Sequence, residues 1–192
     1  AALYTEVLRS APAGKIIIRT IDAGSDKPVP FFSLEDEENP ALGMRGFRLA
    51  TEYPDFQKSQ LQAIQKAIAA TGRDVGVMAP MVSTVEEVRE FKALCSEAGI
   101  SQVGIMIETP AIIPVMADLG GILDFVSIGT NDLSQYLFAA DRMHPKLGSL
   151  NNPWQPGLLR SVSAIATEAG KLGIPVGVCG ESAANPLISI VF

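Results

Sequence analysis

Apolar positions along the chain come in short runs, and each run is followed by a stretch with helical spacing. Leu3, Val7 and Leu8 sit at helical spacing in Ala1 to Leu8, and Pro12-Ala13-Gly14 ends that stub. Lys15 to Asp22 holds the β-branched run Ile16-Ile17-Ile18 and reads as a buried parallel strand rather than a half-exposed one. Residues 23–40 are rich in Gly, Pro, Asp and Glu and read as a long loop, and Leu42 to Leu49 is ambiguous. Phe56 to Ala70 carries good helix formers and stops at Thr71-Gly72. Val75 to Pro80 is then a strand, and Ser83 with Glu86 forms a capping box for a helix to about Ala98. Strands follow over Val103 to Ile107, Asp124 to Ile128 and Pro175 to Val178. The helices between them cover Ile112 to Leu119, Leu133 to Ala140 and Leu158 to Leu172. Asn185-Pro186 opens one more, with Asn as cap and Pro at the first helical position.

Alternating strands and helices predict an α/β fold with a parallel sheet. Two architectures compete, a doubly wound open sheet and a TIM (β/α)8 barrel. Arg19, Glu108, Asn131, Asp132 and Cys179 all sit at or just after strand C-terminal ends. In a barrel those ends converge on one mouth, where such enzymes keep their chemistry. An open sheet concentrates function near one switch point. The barrel is therefore preferred. No G-x-G-x-x-G or G-x-x-x-x-G-K occurs, so dinucleotide and P-loop readings have no support.

Composition narrows this further. The 192 residues are 47% hydrophobic and 19% charged, with a formal net charge of −6. That excludes a disordered tail, and the acidic balance argues against nucleic-acid binding. There is no apolar run of membrane-spanning length. Cys95 and Cys179 make no disulfide framework, which fits a reducing, cytoplasmic setting.

Glu108 and Asp132 follow successive strands, with an amide at Asn131. Two acids in one mouth suit a hard cation such as Mg²⁺, which takes one or two carboxylates and fills its octahedron with water and substrate oxygens. Helix capping is the competing role for each acid taken alone. Arg19, Arg45 and Arg142 add guanidinium forks that pair with phosphate or carboxylate. Together these describe a site for a small, strongly anionic, phosphorylated ligand. Arg48 and Arg160 read as surface residues. Cys179 is either a proton donor or a small buried hydrophobe, and Cys95 reads as the latter. His144 is the only histidine, so a histidine-based zinc site is not supported.

Several motifs then occur in a telling order: Arg19-Thr20-Ile21-Asp22-Ala23-Gly24, Glu38 to Gly46, Ile107-Glu108-Thr109-Pro110, Ser127 to Tyr136, Ala140-Asp141-Arg142 and Cys179-Gly180-Glu181. The set resembles the C-terminal domain of the enzyme I family, the phosphoenolpyruvate–protein phosphotransferases of the bacterial sugar phosphotransferase system, over nearly the whole chain. Part of it is shared with pyruvate phosphate dikinase and phosphoenolpyruvate synthase. The resemblance implies a (β/α)8 barrel that binds phosphoenolpyruvate and Mg²⁺. It makes Glu108 and Asp132 the metal ligands. Arg19, Arg45, Arg142, Asn131 and Asp132 then line the substrate, with Arg142 also serving catalysis, and Cys179 is the acid that protonates the enolate carbon to give pyruvate. The phosphoryl group goes to a histidine on a separate N-terminal domain and then to HPr, and the protein is a cytoplasmic homodimer.

Three departures accompany the resemblance. Ser25 stands where the family repeats Gly, and Met143-His144 stands where Gly-Asn is usual, so His144 is not the phosphorylated histidine. The arginine of the family's first strand has no counterpart here. Residues 1–192 are accordingly expected to be one barrel domain cut at both ends, about strands two to seven, since a complete barrel takes roughly 250 residues. Such a piece lacks the acceptor histidine and is expected to be inactive in transfer by itself. The other readings are a dikinase or synthase barrel and a non-catalytic module that only dimerises or binds ligand.

Overall fold

The computed structural model describes residues 1–32 and 36–192. The middle of the loop expected over residues 23–40 lies outside the described residues. The strands are β1 (Ile16–Arg19), β2 (Val75–Ala79), β3 (Val103–Ile107), β4 (Phe125–Gly129) and β5 (Val176–Cys179). They are hydrogen-bonded in the order β1-β2-β3-β4-β5. Spatial order equals chain order, with no reversal. A doubly wound sheet reverses at its switch point, and a (β/α) barrel does not. The fold is therefore α/β of the barrel type.

Among the described residues five strands are seen rather than six. Residues 40–52 fold as 3₁₀ turns at Pro40–Leu42 and Gly46–Arg48 and a short helix α2 (Leu49–Glu52). Pro40 lacks an N–H, and Gly46 takes φ +60°, a left-handed conformation that interrupts an extended run. Its missing side chain matters as well, because a Cβ there would lie 2.7 Å from Met81 Cβ.

Contacts group the described residues into two compact units. The first holds residues 1–81 and 89–104. In it, α1 (Ala2–Ser10) packs on α3 (Pro54–Thr71), and β1 pairs with β2 in register Ile16↔Val75 to Arg19↔Met78. β1 is parallel, as expected, but not buried: Ile17 is 39% exposed. The strand stands at the end of the order, so only β2 flanks it. Helix α3 ends on Gly72 at φ +64°, the left-handed cap that the Thr71-Gly72 stop predicts. A small cluster of Ala23, Phe32 and Leu49, packed by Val29, Met44, Tyr53 and Phe56, anchors the segment that carries Arg45.

The second unit holds residues 82–88 and 105–192. β4 and β5 pair in parallel from Val126↔Val176 to Gly129↔Cys179. Helix α5 (Thr130–Leu137) follows β4 directly, and α6 (Pro156–Leu172) packs on it. The helix expected over Ile112 to Leu119 is part of a 3₁₀ helix, Pro110–Leu119. Pro110 and Pro114 remove two N–H donors, and Pro114 would clash with the carbonyl four residues back in an α-helix. Short helices α7 (Glu181–Ala184) and α8 (Pro186–Val191) close the chain, and Asn185 Oδ1 caps α8 by accepting from the Leu187 and Ile188 N–H groups.

Helix α4 (Val85–Glu97) starts one residue later than the Ser83–Glu86 pair predicts. The reciprocal box is Thr84 with Glu87: the Glu87 N–H donates to Thr84 Oγ1 at 3.2 Å, and the Thr84 N–H to Glu87 Oε2 at 3.0 Å. Both pairs satisfy the same sequence spacing, and strand β2 and its loop set which one caps. Among the described residues no helix is long and apolar enough to cross a membrane.

Candidate functional site

In the first unit the residues after β1 turn on one carboxylate. Asp22, whose side chain is fully buried, lies 3.0 Å from Arg45 Nη2, 2.7 Å from Lys27 Nζ and 3.4 Å from Arg19 Nη1. Arg45 also reaches Asp26 with Nη1 at 3.2 Å. Burial pushes the Asp22 carboxyl up, but Lys27 and Arg45 outweigh it, and the group ends below its usual value. Gly24 lets the two segments meet, since a Cβ on it would be 2.5 Å from Arg45 Cβ. Arg19 and Arg45, two of the three site arginines read from the sequence, are thus brought together. Arg45 is buried to 1% while Arg19 keeps 40% of its side chain exposed.

Asp22, Asp26 and Lys27 were not singled out from the sequence. The available signal was charge balance: two arginines closing on a buried strand end require a counter-ion.

In the second unit the site residues gather around Gly129, the last residue of β4. Glu108 follows β3 and is 1% exposed; a Cβ on Gly129 would lie 2.8 Å from its Oε2. Across the sheet, register places Cys179 beside Gly129. The thiol donates to the Ile128 carbonyl at 3.3 Å, and the Ser127 hydroxyl donates to Sγ at 3.5 Å. Cys179 is the last residue of β5 rather than the first after it, and it is half-buried. Thr130 Oγ1 donates to the Cys179 carbonyl at 2.8 Å, and Asn131 Oδ1 accepts from the Glu181 N–H at 3.2 Å. Gly180, at φ +93°, makes that approach possible: a Cβ there would be 2.5 Å from Thr130 Oγ1. Asp132 lies in the first turn of α5 and is 5% exposed. Arg142 is held through its backbone, whose N–H donates to Gln135 Oε1 at 3.0 Å.

Glu108 and Asp132 are the oxygen donors available here for a metal. Carboxylates this buried are rare unless a cation or donor set accompanies them. Mg²⁺ accepts one or two carboxylates and keeps water in its remaining positions, so the donor set fits. Among the described residues no group of three or more His, Cys, Asp or Glu side chains is placed to hold a metal ion. Ser127, Gly129 and Gly180 were missed from the sequence. Only strand register shows that they contact Cys179, Glu108 and Asn131.

The family described as PEP-utilising enzyme, PEP-binding domain, matches residues 1–192. A phosphoenolpyruvate-protein phosphotransferase of Streptomyces coelicolor is 42% identical over 98% of this chain and 34% of that protein. Another, of Haloferax volcanii, is 40% identical over 95% of this chain and 35% of its own length. A multiphosphoryl transfer protein of Rhodobacter capsulatus is 38% identical over 97% of this chain and 23% of that protein. The chain thus spans about a third or less of the length of these relatives. Among solved structures, a citrate lyase from Burkholderia xenovorans aligns with TM-score 0.50 at 19% identity, over 63% of this chain and 40% of that one. The citrate synthase SbnG aligns with TM-score 0.50 at 14% identity, over 94% and 73%. These two likenesses speak to fold alone.

Proposed function

This chain belongs to the PEP-utilising enzymes, as their PEP-binding domain, and we propose that it binds phosphoenolpyruvate with Mg²⁺ and serves phosphoryl transfer to protein in the manner of enzyme I. The observation that carries the proposal is the meeting at Gly129, with the Glu108 carboxylate over its Cα and the Cys179 thiol beside it across the strand pair. A metal-binding acid and a proton donor then flank one small residue. The similarity to phosphoenolpyruvate-protein phosphotransferases supports that reading over a dikinase or synthase.

Glu108 and Asp132 would hold the metal, which when bound would supply positive charge for the substrate's oxygens. Arg19, Arg45, Arg142 and Asn131 hold the phosphate and carboxylate. Asp132 also borders the substrate. Phosphoryl transfer is largely positioning and charge stabilisation, and Arg142 stabilises charge on the moving group. As the P–O bond to the enol oxygen breaks, the electron pair stays on that oxygen. Cys179 Sγ–H then delivers its proton to the methylene carbon, and pyruvate results. The sulfur is positioned by a hydrogen bond received from Ser127 and one given to the Ile128 carbonyl, and the second is released when the proton passes to carbon. The acceptor is a histidine on a separate domain, from which the group passes to HPr. A cytoplasmic homodimer belongs to the same reading.

Calorimetric titration of the chain with phosphoenolpyruvate, with and without Mg²⁺, tests this. Binding that strengthens with Mg²⁺ in the wild type and loses that dependence in Asp132→Ala is the expected result. Affinity for Mg²⁺ retained by Asp132→Ala contradicts the metal assignment, and no binding of phosphoenolpyruvate by the wild type contradicts the function.

A further inference from the structure

The second unit contains a polar cavity of about 520 Å³ beside α5. Its lining includes Asn131, Ser134, Arg142, Asn151, Glu181 and Asn185. Two of these polar groups are committed: Asn185 Oδ1 caps α8, and Asn131 Oδ1 accepts from the Glu181 N–H. Two others each carry a buried atom with no hydrogen-bond partner among the described residues. Ser134 is 3% exposed, and its Oγ has no hydrogen-bond partner among the described residues. Asn151 donates through Nδ2 to the Ala140 carbonyl at 3.1 Å, while its buried Oδ1 has no partner.

Ser134 differs from several helical serines of this chain. Ser10, Ser96 and Ser161 each turn their hydroxyl back on to the carbonyl four residues earlier, as helical serines commonly do. Ser134 forgoes that bond in a buried position, where an unmade hydrogen bond is costly. Arg142 and the unpaired Ser134 hydroxyl line the same cavity, with Glu181 also on its wall, and a small oxyanion that brings a bound water fits the arginine, the hydroxyl and the Asn151 acceptor together. Arg142 supplies the charge, Ser134 a neutral donor, and Asn151 an acceptor for a hydroxyl or water carried with the anion.

We propose that Ser134 and Asn151 are ligand-binding residues that complete an oxyanion subsite at Arg142. The inference rests on the reading of Arg142 as a residue that holds substrate. The Ser134 hydroxyl donates to an anion oxygen that Arg142 also holds, and Asn151 Oδ1 accepts from a water bound with the anion. The oxyanion is either the phosphate or the carboxylate end of the substrate, and the two are separable by probe.

The test uses the full chain as wild type, Ser134→Ala and Asn151→Asp. Each is titrated with phosphoenolpyruvate, inorganic phosphate and pyruvate in the presence of Mg²⁺, and each is melted without ligand. Ser134→Ala removes an unpaired hydroxyl from a helix, so its melting temperature should equal or exceed that of the wild type. Its affinity for phosphoenolpyruvate should nonetheless fall about tenfold, the usual effect of a lost hydrogen bond to a charged group. The same loss for phosphate but not pyruvate assigns the phosphate end, and the reverse assigns the carboxylate end. Asn151→Asp adds a negative charge to the cavity and should weaken the same probe at least as much. Wild-type binding of phosphoenolpyruvate with unchanged affinity in both variants overturns the inference and leaves the proposed function standing. A lower melting temperature for Ser134→Ala with unchanged affinity makes the hydroxyl structural and likewise overturns it. A wild type that binds phosphate but not phosphoenolpyruvate, with phosphate binding weakened in Ser134→Ala, overturns the function and keeps the subsite.

Discussion

Arg45 Nη2 lies 3.0 Å from Asp22 Oδ2, with the guanidinium 1% exposed and the carboxylate fully buried. Neither charge is tolerable in that position without the other. The pair ties the segment after β1 to the Gly43–Gly46 turn, and Asp26 and Lys27 extend it into a network. Removing one partner of a buried pair leaves an uncompensated charge. Asp22→Asn should therefore cost about 3–5 kcal/mol of stability, read as a lower urea midpoint.

The same pair sets an acid limit. Asp22 is held below its ordinary carboxylate value, so folding favours its ionised form. The stability it contributes is fully present above the unfolded value of about 3.9 and is lost as pH falls through the folded value. Wild-type stability should drop more steeply below about pH 4 than that of Asp22→Asn, as measured by urea unfolding across pH. Parallel curves would remove Asp22 from the acid transition.

Gly129→Ala should impair metal-dependent binding without removing any ligand. Gly129 has φ −88°, which alanine tolerates, so the effect is steric. The new Cβ would lie 2.8 Å from Glu108 Oε2 and 2.9 Å from Met106 Sδ. Overpacking of this kind costs about 1–3 kcal/mol, and the displaced carboxylate should weaken Mg²⁺-dependent phosphoenolpyruvate binding about tenfold or more. Gly177→Ala, whose Cβ would meet nothing closer than 4.0 Å, is the control and should bind normally.

Cys179→Ala should separate proton transfer from binding. Exchange of the pyruvate methyl protons with D₂O, followed by proton NMR, requires the same proton movement as enolate protonation and needs no acceptor domain. It should fall at least about a hundredfold, the lower range for loss of a general acid or base. Phosphoenolpyruvate affinity should stay within about twofold, since a thiol proton donor contributes little ground-state binding. Undiminished exchange would exclude Cys179 from the chemistry.

The two thiols should differ in reactivity. Burial pushes the Cys95 thiol up to about 12, with Lys92 opposing weakly, and the residue is 0% exposed. At pH 8 almost none of it is thiolate, and no reagent reaches it. Cys179 is half-buried. A disulfide reagent such as DTNB should label one thiol quickly in the native chain and two in denaturant, and Cys179→Ala should abolish the fast phase.

Much of the fold was legible locally. Gly72 and Gly173 stop their helices in the left-handed conformation, and Asn185 caps α8, each at the place its residue type indicates. The strand-end polar residues were legible as well, because a polar residue closing an apolar run stands out in sequence. Local spacing was insufficient where two solutions share it. Ser83–Glu86 and Thr84–Glu87 have the same spacing, and the second forms the box. The apolar run from Ile112 to Leu119 suggested an α-helix, while Pro110 and Pro114 enforce 3₁₀ geometry.

The sequence by itself therefore determined the α/β alternation, the barrel-type fold class and the family, since period, caps and ordered motifs are properties of neighbouring residues. Only the tertiary structure decided the partnerships. Asp22 meets an arginine 23 residues away, Cys179 accepts through its carbonyl from Thr130 49 residues away, and Glu108 rests on Gly129. Ser134 was indistinguishable from other helical serines until its hydroxyl was found without the usual carbonyl partner. These contacts depend on strand register and chain reversal, which bring distant residues within ångströms and leave no periodic trace in the sequence.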